Sequence, residues 1–127
     1  MSVENLEKID LMGDELPKNQ TVLMITDHLE WGANEGEHLL LLQEKLTNYV
    51  NFIKGGQLFE VHPSAKGKKI VIRVAFKYQP LGELVDYFMP RVAKFLKDLD
   101  IGWETEVFEE IIAEKKPDGR FLTKSSN

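Results

Sequence analysis

With 127 residues, 43% of them hydrophobic and 29% charged, the chain has the size and composition of one ordinary globular domain, able to bury about two thirds of its unfolded surface. The absence of cysteine removes thiol nucleophiles, thiolate metal sites and disulfide scaffolds together, and it fits a cytoplasmic location. A net charge of −5 runs against general nucleic-acid binding, which needs a basic field, and suits either solubility or a basic partner. The run Leu39–Leu42 falls far short of the roughly 20 apolar residues of a membrane span. Met1–Asn5 leads into mixed polar sequence, so neither a membrane partner nor a signal peptide is expected.

Lys8–Met12 alternates polar and apolar residues as a weak first strand. Gly13-Asp14 and Pro17-Lys18-Asn19 then have turn chemistry. Thr21–Thr26 is apolar on both faces and reads as a central strand. Asn34 with Glu37 has the spacing of a capping box and opens a helix that runs to Ile53. Its stripe is Leu39, Leu42, Leu46, Tyr49, Val50 and Ile53, widened by Leu40 and Leu41, while Glu44, Lys45 and Asn48 lie off it. Gly55-Gly56 ends it. Leu58–His62 then reads as a short strand, Pro63–Gly67 as a turn and Lys69–Tyr78 as a half-buried antiparallel strand, together a β-hairpin. Ile70, Ile72, Val74, Phe76 and Tyr78 fall on one face of that strand, and Lys69, Val71, Arg73, Ala75 and Lys77 on the other.

A second helix is predicted over Leu81–Leu99, apolar at Leu84, Val85, Phe88, Val92, Phe95, Leu96 and Leu99. Pro90 inside it predicts a kink or a break. Trp103–Glu109 reads as a charged edge strand. A single domain is expected over residues 1–112, followed by a polar, mobile tail over 113–127. The simplest packing is an α+β two-layer sandwich: an antiparallel sheet with two helices on one face, in the ferredoxin-like β-α-β-β-α-β order, preceded by the weak strand.

Chemistry gathers around the turn into the first helix, at Asp27, His28, Glu30, Glu35, Glu37 and His38. Imidazole with carboxylates is a divalent-metal ligand set. Yet Asp27 and His28 are adjacent in extended chain and point to opposite faces, and no spacing pairs two imidazoles, so helix capping and a polar surface turn are the expected use of these groups. Glu30 with Glu37 or His38 is a formal acid–base pair, but no nucleophile or phosphate motif accompanies it, so no catalytic residue, metal or cofactor is assigned. Lys66, Lys68, Lys69, Arg73 and Lys77 form a basic group without outward aromatics, which reads as a solvated strand face and not an RNA platform. Trp31 is either a partner anchor or, the favoured reading, a lid folded over the helix start.

The run Asp27-His28-Leu29-Glu30-Trp31, followed by Glu37–Tyr49 with its four leucines, resembles a family of small bacterial proteins known only as a domain of unknown function. Pro63, Gly67, Ile70-Val71-Ile72 and Phe76-Lys77-Tyr78 extend the similarity, which covers about residues 20–108. The resemblance implies a bacterial cytosolic origin and no chemistry. The expectation is therefore a small non-enzymatic interaction module that neutralises or regulates a protein partner. Its binding residues are drawn from Asp27, His28, Glu30, Trp31, Glu37 and His38, or from the outer face of the sheet. The rivals are an enzyme or metal protein using the Asp27–His38 turn, and a homodimer closed sheet face on sheet face.

Overall fold

A computed structural model describes residues 9–32 and 34–108. The expected tail over 113–127 and the end of the domain at 112 lie outside the described residues. Strand β1 (Leu11–Glu15) turns through Leu16–Lys18 into β2 (Gln20–Asp27), with Asn19 in the left-handed region at φ 52°. The helices α1 (Glu35–Lys54) and α2 (Gln57–Val61) follow, then β3 (Lys69–Phe76), α3 (Glu83–Asp98) and β4 (Gly102–Val107). This is an α+β architecture, and its four strands lie in sequence order across one sheet.

The sheet is mixed. β1 pairs antiparallel with β2 from Leu11↔Met24 to Glu15↔Gln20, whereas β2–β3 and β3–β4 are parallel. This overturns the expected antiparallel, ferredoxin-like arrangement and the hairpin over residues 58–78. Leu58–Val61 is helical, because Gly56 at φ +90° redirects the chain into a second short helix whose Leu58 is fully buried. Five residues are too few for helical periodicity to show against strand alternation. The β2–β3 connection, residues 28–68, is thus a helical crossover of the length that parallel pairing requires.

Both crossovers step the same way across the sheet, and parallel crossovers are right-handed, so α1 and α3 fall on one face. The core agrees: Leu42, Leu46, Tyr49 and Ile53 of α1, and Val92 and Leu96 of α3, pack with Leu23, Ile25, Ile70, Ile72, Val74 and Phe76. β2 is internal and β4 is an edge, as their sequences predict. α3 runs unbroken with Pro90 inside. Its stripe is narrower than predicted, since Leu84 and Phe95 are exposed, as is Leu40 on α1.

Two buried polar devices seat the layers. Lys45, placed off the stripe by its charge, is fully buried and ion-pairs with buried Asp10, Nζ to Oδ1 2.9 Å. The Tyr49 hydroxyl accepts the Asp10 N–H at 2.8 Å and donates to the Met24 carbonyl at 2.6 Å. The Asp10 carboxylate in turn accepts the Thr26 N–H at 3.0 Å. Side chains therefore continue the β1–β2 ladder where the backbone pairing stops, and burial pushes the Tyr49 phenol pKa well up.

On the opposite face of the sheet, Arg73 pairs in a fork with Glu15 at 2.8 and 3.0 Å and reaches Glu104 at 2.6 Å. These pairs span β1, β3 and β4, and Val22, Val71 and Ala75 are buried among them. The strand face expected to be solvated is therefore spanned by an ionic network whose carboxylates stay about one third exposed, at 34% and 36%. Its Glu15 carboxyl is pulled down to about 2, chiefly by the Arg73 hydrogen bonds.

Candidate functional site

Asp27, His38 and Trp31 converge at the carboxyl ends of the parallel strands, where open α/β sheets present their sites. Asp27 is the last residue of β2 and lies beside Phe76, the last of β3. Its Oδ1 accepts the Leu29 N–H at 3.1 Å, closing a tight polar turn. Its Oδ2 receives His38 Nε2 at 2.6 Å, across the first turn of α1. The ring nitrogen is the donor, because a carboxylate only accepts. Both side chains are buried, with 0% and 3% of their surface exposed. Trp31 lies flat on the His38 ring, centroids 3.6 Å apart and planes 19° from parallel, and meets Phe76 at 6.0 Å. Trp31 is thus a half-buried lid over the start of the helix. Among the described residues, His38 Nδ1 and Trp31 Nε1 are buried without a hydrogen-bond partner.

The remaining residues of the turn separate from this trio. His28, Glu30 and Glu37 are exposed, so Asp27 and His28 do diverge as adjacent residues of an extended chain should. Asn34 occupies the N-cap position but its side chain makes no capping bond, so the expected capping box does not form. Glu35 instead packs on Gly82, the residue before α3: a Cβ built there would lie 2.6 Å from a Glu35 carboxylate oxygen. That contact joins the turn to the start of α3. Among the described residues, no group of three or more His, Asp or Glu side chains converges as a metal site would require.

A second polar cluster lies outside the residues that the sequence pattern marks. Asp14 Oδ1 receives Thr21 Oγ1 at 2.7 Å and His62 Nε2 at 2.9 Å, while Oδ2 accepts Ser64 Oγ at 2.8 Å. These contacts, with Lys68 at 3.7 Å, hold the Asp14 carboxyl well below the usual carboxylate range, Thr21 contributing most. The residue types are those of a nucleophilic triad, but the wiring is different. Ser64 and Asp14 both address the same ring nitrogen, at 3.1 and 2.9 Å, whereas a triad puts nucleophile and acid on opposite nitrogens. Ser64 also spends its proton on Asp14 directly. The cluster clamps the Pro63–Ala65 turn onto β1 and β2. Asp14 and Thr21 sit far along the chain from His62, Ser64 and Lys68, and Gly13-Asp14 reads locally as a turn, so no local pattern announces the cluster.

α3 carries a feature of another kind. Leu84, Tyr87 and Phe95 of α3, and Leu81 just before it, are at least half exposed, at 50%, 62%, 52% and 64%. On a helix, Leu84, Tyr87, Arg91 and Phe95 recur at three- and four-residue steps and so form one stripe. Arg91 lies on the Tyr87 ring, guanidinium carbon 3.8 Å from the centroid.

A family model described as a family of unknown function, DUF6572, matches residues 1–109. The chain belongs to the DUF6572 family. This bears out the expectation of a family known only as a domain of unknown function, and the Asp27–Trp31 and Glu37–Tyr49 runs lie inside the matched region. No curated protein and no solved structure matches the chain significantly. The DUF6572 match spans every described element, from β1 to β4. No helix among the described residues is long and apolar enough to cross a membrane.

Proposed function

We propose that this protein is a non-enzymatic interaction module of the bacterial cytosol, docking a protein partner through the outer flank of α3 and the adjoining rim of the Asp27–His38 turn. The observation that carries the proposal is the set Leu81, Leu84, Tyr87 and Phe95, all large, apolar and at least half exposed along one segment. Scattered surface leucines need no explanation, but a contiguous row with aromatics and an arginine has the composition of a binding patch. In this arrangement Asp27, His38 and Trp31 are the rigid floor of the turn, and His28, Glu30 and Glu37 its polar, mostly acidic rim. The Glu35–Gly82 contact keeps rim and stripe together. Their chemistry favours a surface that is apolar at its centre and carries basic side chains at its edge.

The test is affinity capture from native lysate with the full chain, a Leu84→Asp, Tyr87→Asp variant and a Glu30→Ala variant. The expected result is one stoichiometric protein, lost with the double variant and weakened with Glu30→Ala. Capture that is indifferent to all three positions, or no capture by any form, would overturn the proposal.

A further inference from the structure

We infer that the α3 stripe takes a second copy of this chain, the two α3 helices pairing antiparallel. The inference rests on the interaction reading above and names its partner. The stripe lies on one flank of α3, beside the core-facing Val85, Val92 and Leu96. The far flank, with Met89 and Ala93, is half-buried, and the stripe side is open.

The helix is self-complementary about a point between Met89 and Pro90. With Leu84 of one copy opposite Phe95 of the other, the symmetric contact repeats itself, as a two-fold interface demands. Arg91, already stacked on Tyr87 within its own helix at 3.8 Å, then meets Tyr87 and Phe88 of the second copy near the centre. Arginine on aromatic faces is a common composition for the middle of an interface.

Charge fixes the direction of the pairing. The first turn of α3 holds Glu83 and Asp86, while Lys94 and Lys97 lie toward its end. By helical spacing Glu83 and Lys94 border the same edge of the stripe, and in antiparallel helices like edges face each other. Glu83 of each copy therefore lies level with the Lys94–Lys97 stretch of the other. A parallel pair would set opposite edges of the stripe face to face and leave Glu83 and Lys94 on separate sides of the interface, unpaired. Lys94 currently reaches Asp98 at 3.4 Å with both side chains mostly exposed, a weak, screened pair that can exchange for one across the interface.

Sedimentation velocity of the full chain over a wide concentration series tests this. The expected result is a species of twice the 14.6 kDa chain mass. Leu84→Asp and Phe95→Asp should each weaken it at least about tenfold, the size of a central-contact loss. Glu83→Lys and Lys94→Glu should each weaken it several-fold, and the two together should restore it. These positions are exposed, so far-UV circular dichroism, and the melting temperature at concentrations where every form is monomeric, should stay at the parent values. A monomer at every concentration, a dimer indifferent to the α3 substitutions, or a double reversal that fails to restore what each single reversal loses would overturn the inference. A monomer that still captures a lysate protein through Leu84 and Tyr87 would overturn the second copy alone. A monomer without such capture would overturn the interaction reading as well.

Discussion

Replacing Lys45 with methionine tests the central device of the fold. The Lys45 and Asp10 side chains are both fully buried, with Nζ 2.9 Å from Oδ1. Methionine keeps the length of the aliphatic stem and removes the charge. Among the described residues, the Asp10 carboxylate would then keep Thr26 as donor, through its N–H at 3.0 Å and its hydroxyl at 3.4 Å. Removing one partner of a buried pair typically costs about 3–5 kcal/mol, because the other charge is left uncompensated. Against a total stability of about 5–15 kcal/mol, that is a large share, and at about 3 °C per kcal/mol for a chain of this size it lowers Tm by about 10–15 °C.

The double variant Asp10→Leu, Lys45→Met removes both charges. It should recover to within about 2 kcal/mol of the parent, the residual loss being the acceptor for the Thr26 N–H. Urea unfolding followed by far-UV circular dichroism gives both numbers, and the non-additivity of the cycle isolates the pair. A Lys45→Met loss below about 1 kcal/mol would refute the reasoning, since it would mean that the ammonium group is not held in the core.

Other substitutions probe the turn and the second cluster. His38→Ala removes one of the two donors that the described residues give the buried Asp27 carboxylate, leaving the Leu29 N–H, and takes away the ring beneath Trp31, so a loss of about 2–4 kcal/mol is expected in the same urea assay. Gly82→Ala places a methyl against the movable Glu35 carboxylate at a φ of +121°. The backbone strain should therefore dominate, at about 1–2 kcal/mol, and Glu35→Ala should not rescue it. Asp14 and Glu15 have folded-state pKa values below their unfolded ones. Each contributes stability above about pH 4 that is lost as pH falls through the folded value. Melting temperature should fall steeply from pH 4 to 2 in the parent, and Asp14→Asn should lower it at neutral pH and flatten that fall.

The sequence and the fold agree wherever one segment carries its own periodicity. The stripe from Leu39 to Ile53 gives α1, and the two-faced apolar run at Thr21–Thr26 gives an internal strand. The Pro17–Asn19 turn gives the β1–β2 hairpin, although Gly13-Asp14 belongs to the strand because Asp14 finds Thr21, His62 and Ser64. What is lost is non-local. Strict alternation over Lys69–Phe76 is the signature of an antiparallel strand with one wet face, but here the second face is spanned by Arg73 reaching Glu15 and Glu104 on two other strands. Lys45 looks like a surface charge until Asp10, 35 residues away, is placed beside it.

The candidate site divides in the same way. Asp27, Trp31 and His38 stand close in sequence as a cluster, and the structure joins them, while His28, Glu30 and Glu37 turn outward. The α3 stripe was masked by its own apolarity, since Leu84 and Phe95 read as core and their exposure depends on which elements pack beside α3.

The claim that two copies pair through the outer flank of α3 is tested most directly by amide and side-chain chemical-shift mapping of the full chain on dilution. Concentration-dependent shifts confined to the α3 stripe, Leu84, Tyr87, Phe88, Arg91 and Phe95, and to its bordering Glu83 and Lys94 are predicted. Shifts absent from α3, or centred on the Arg73 face of the sheet, would contradict it.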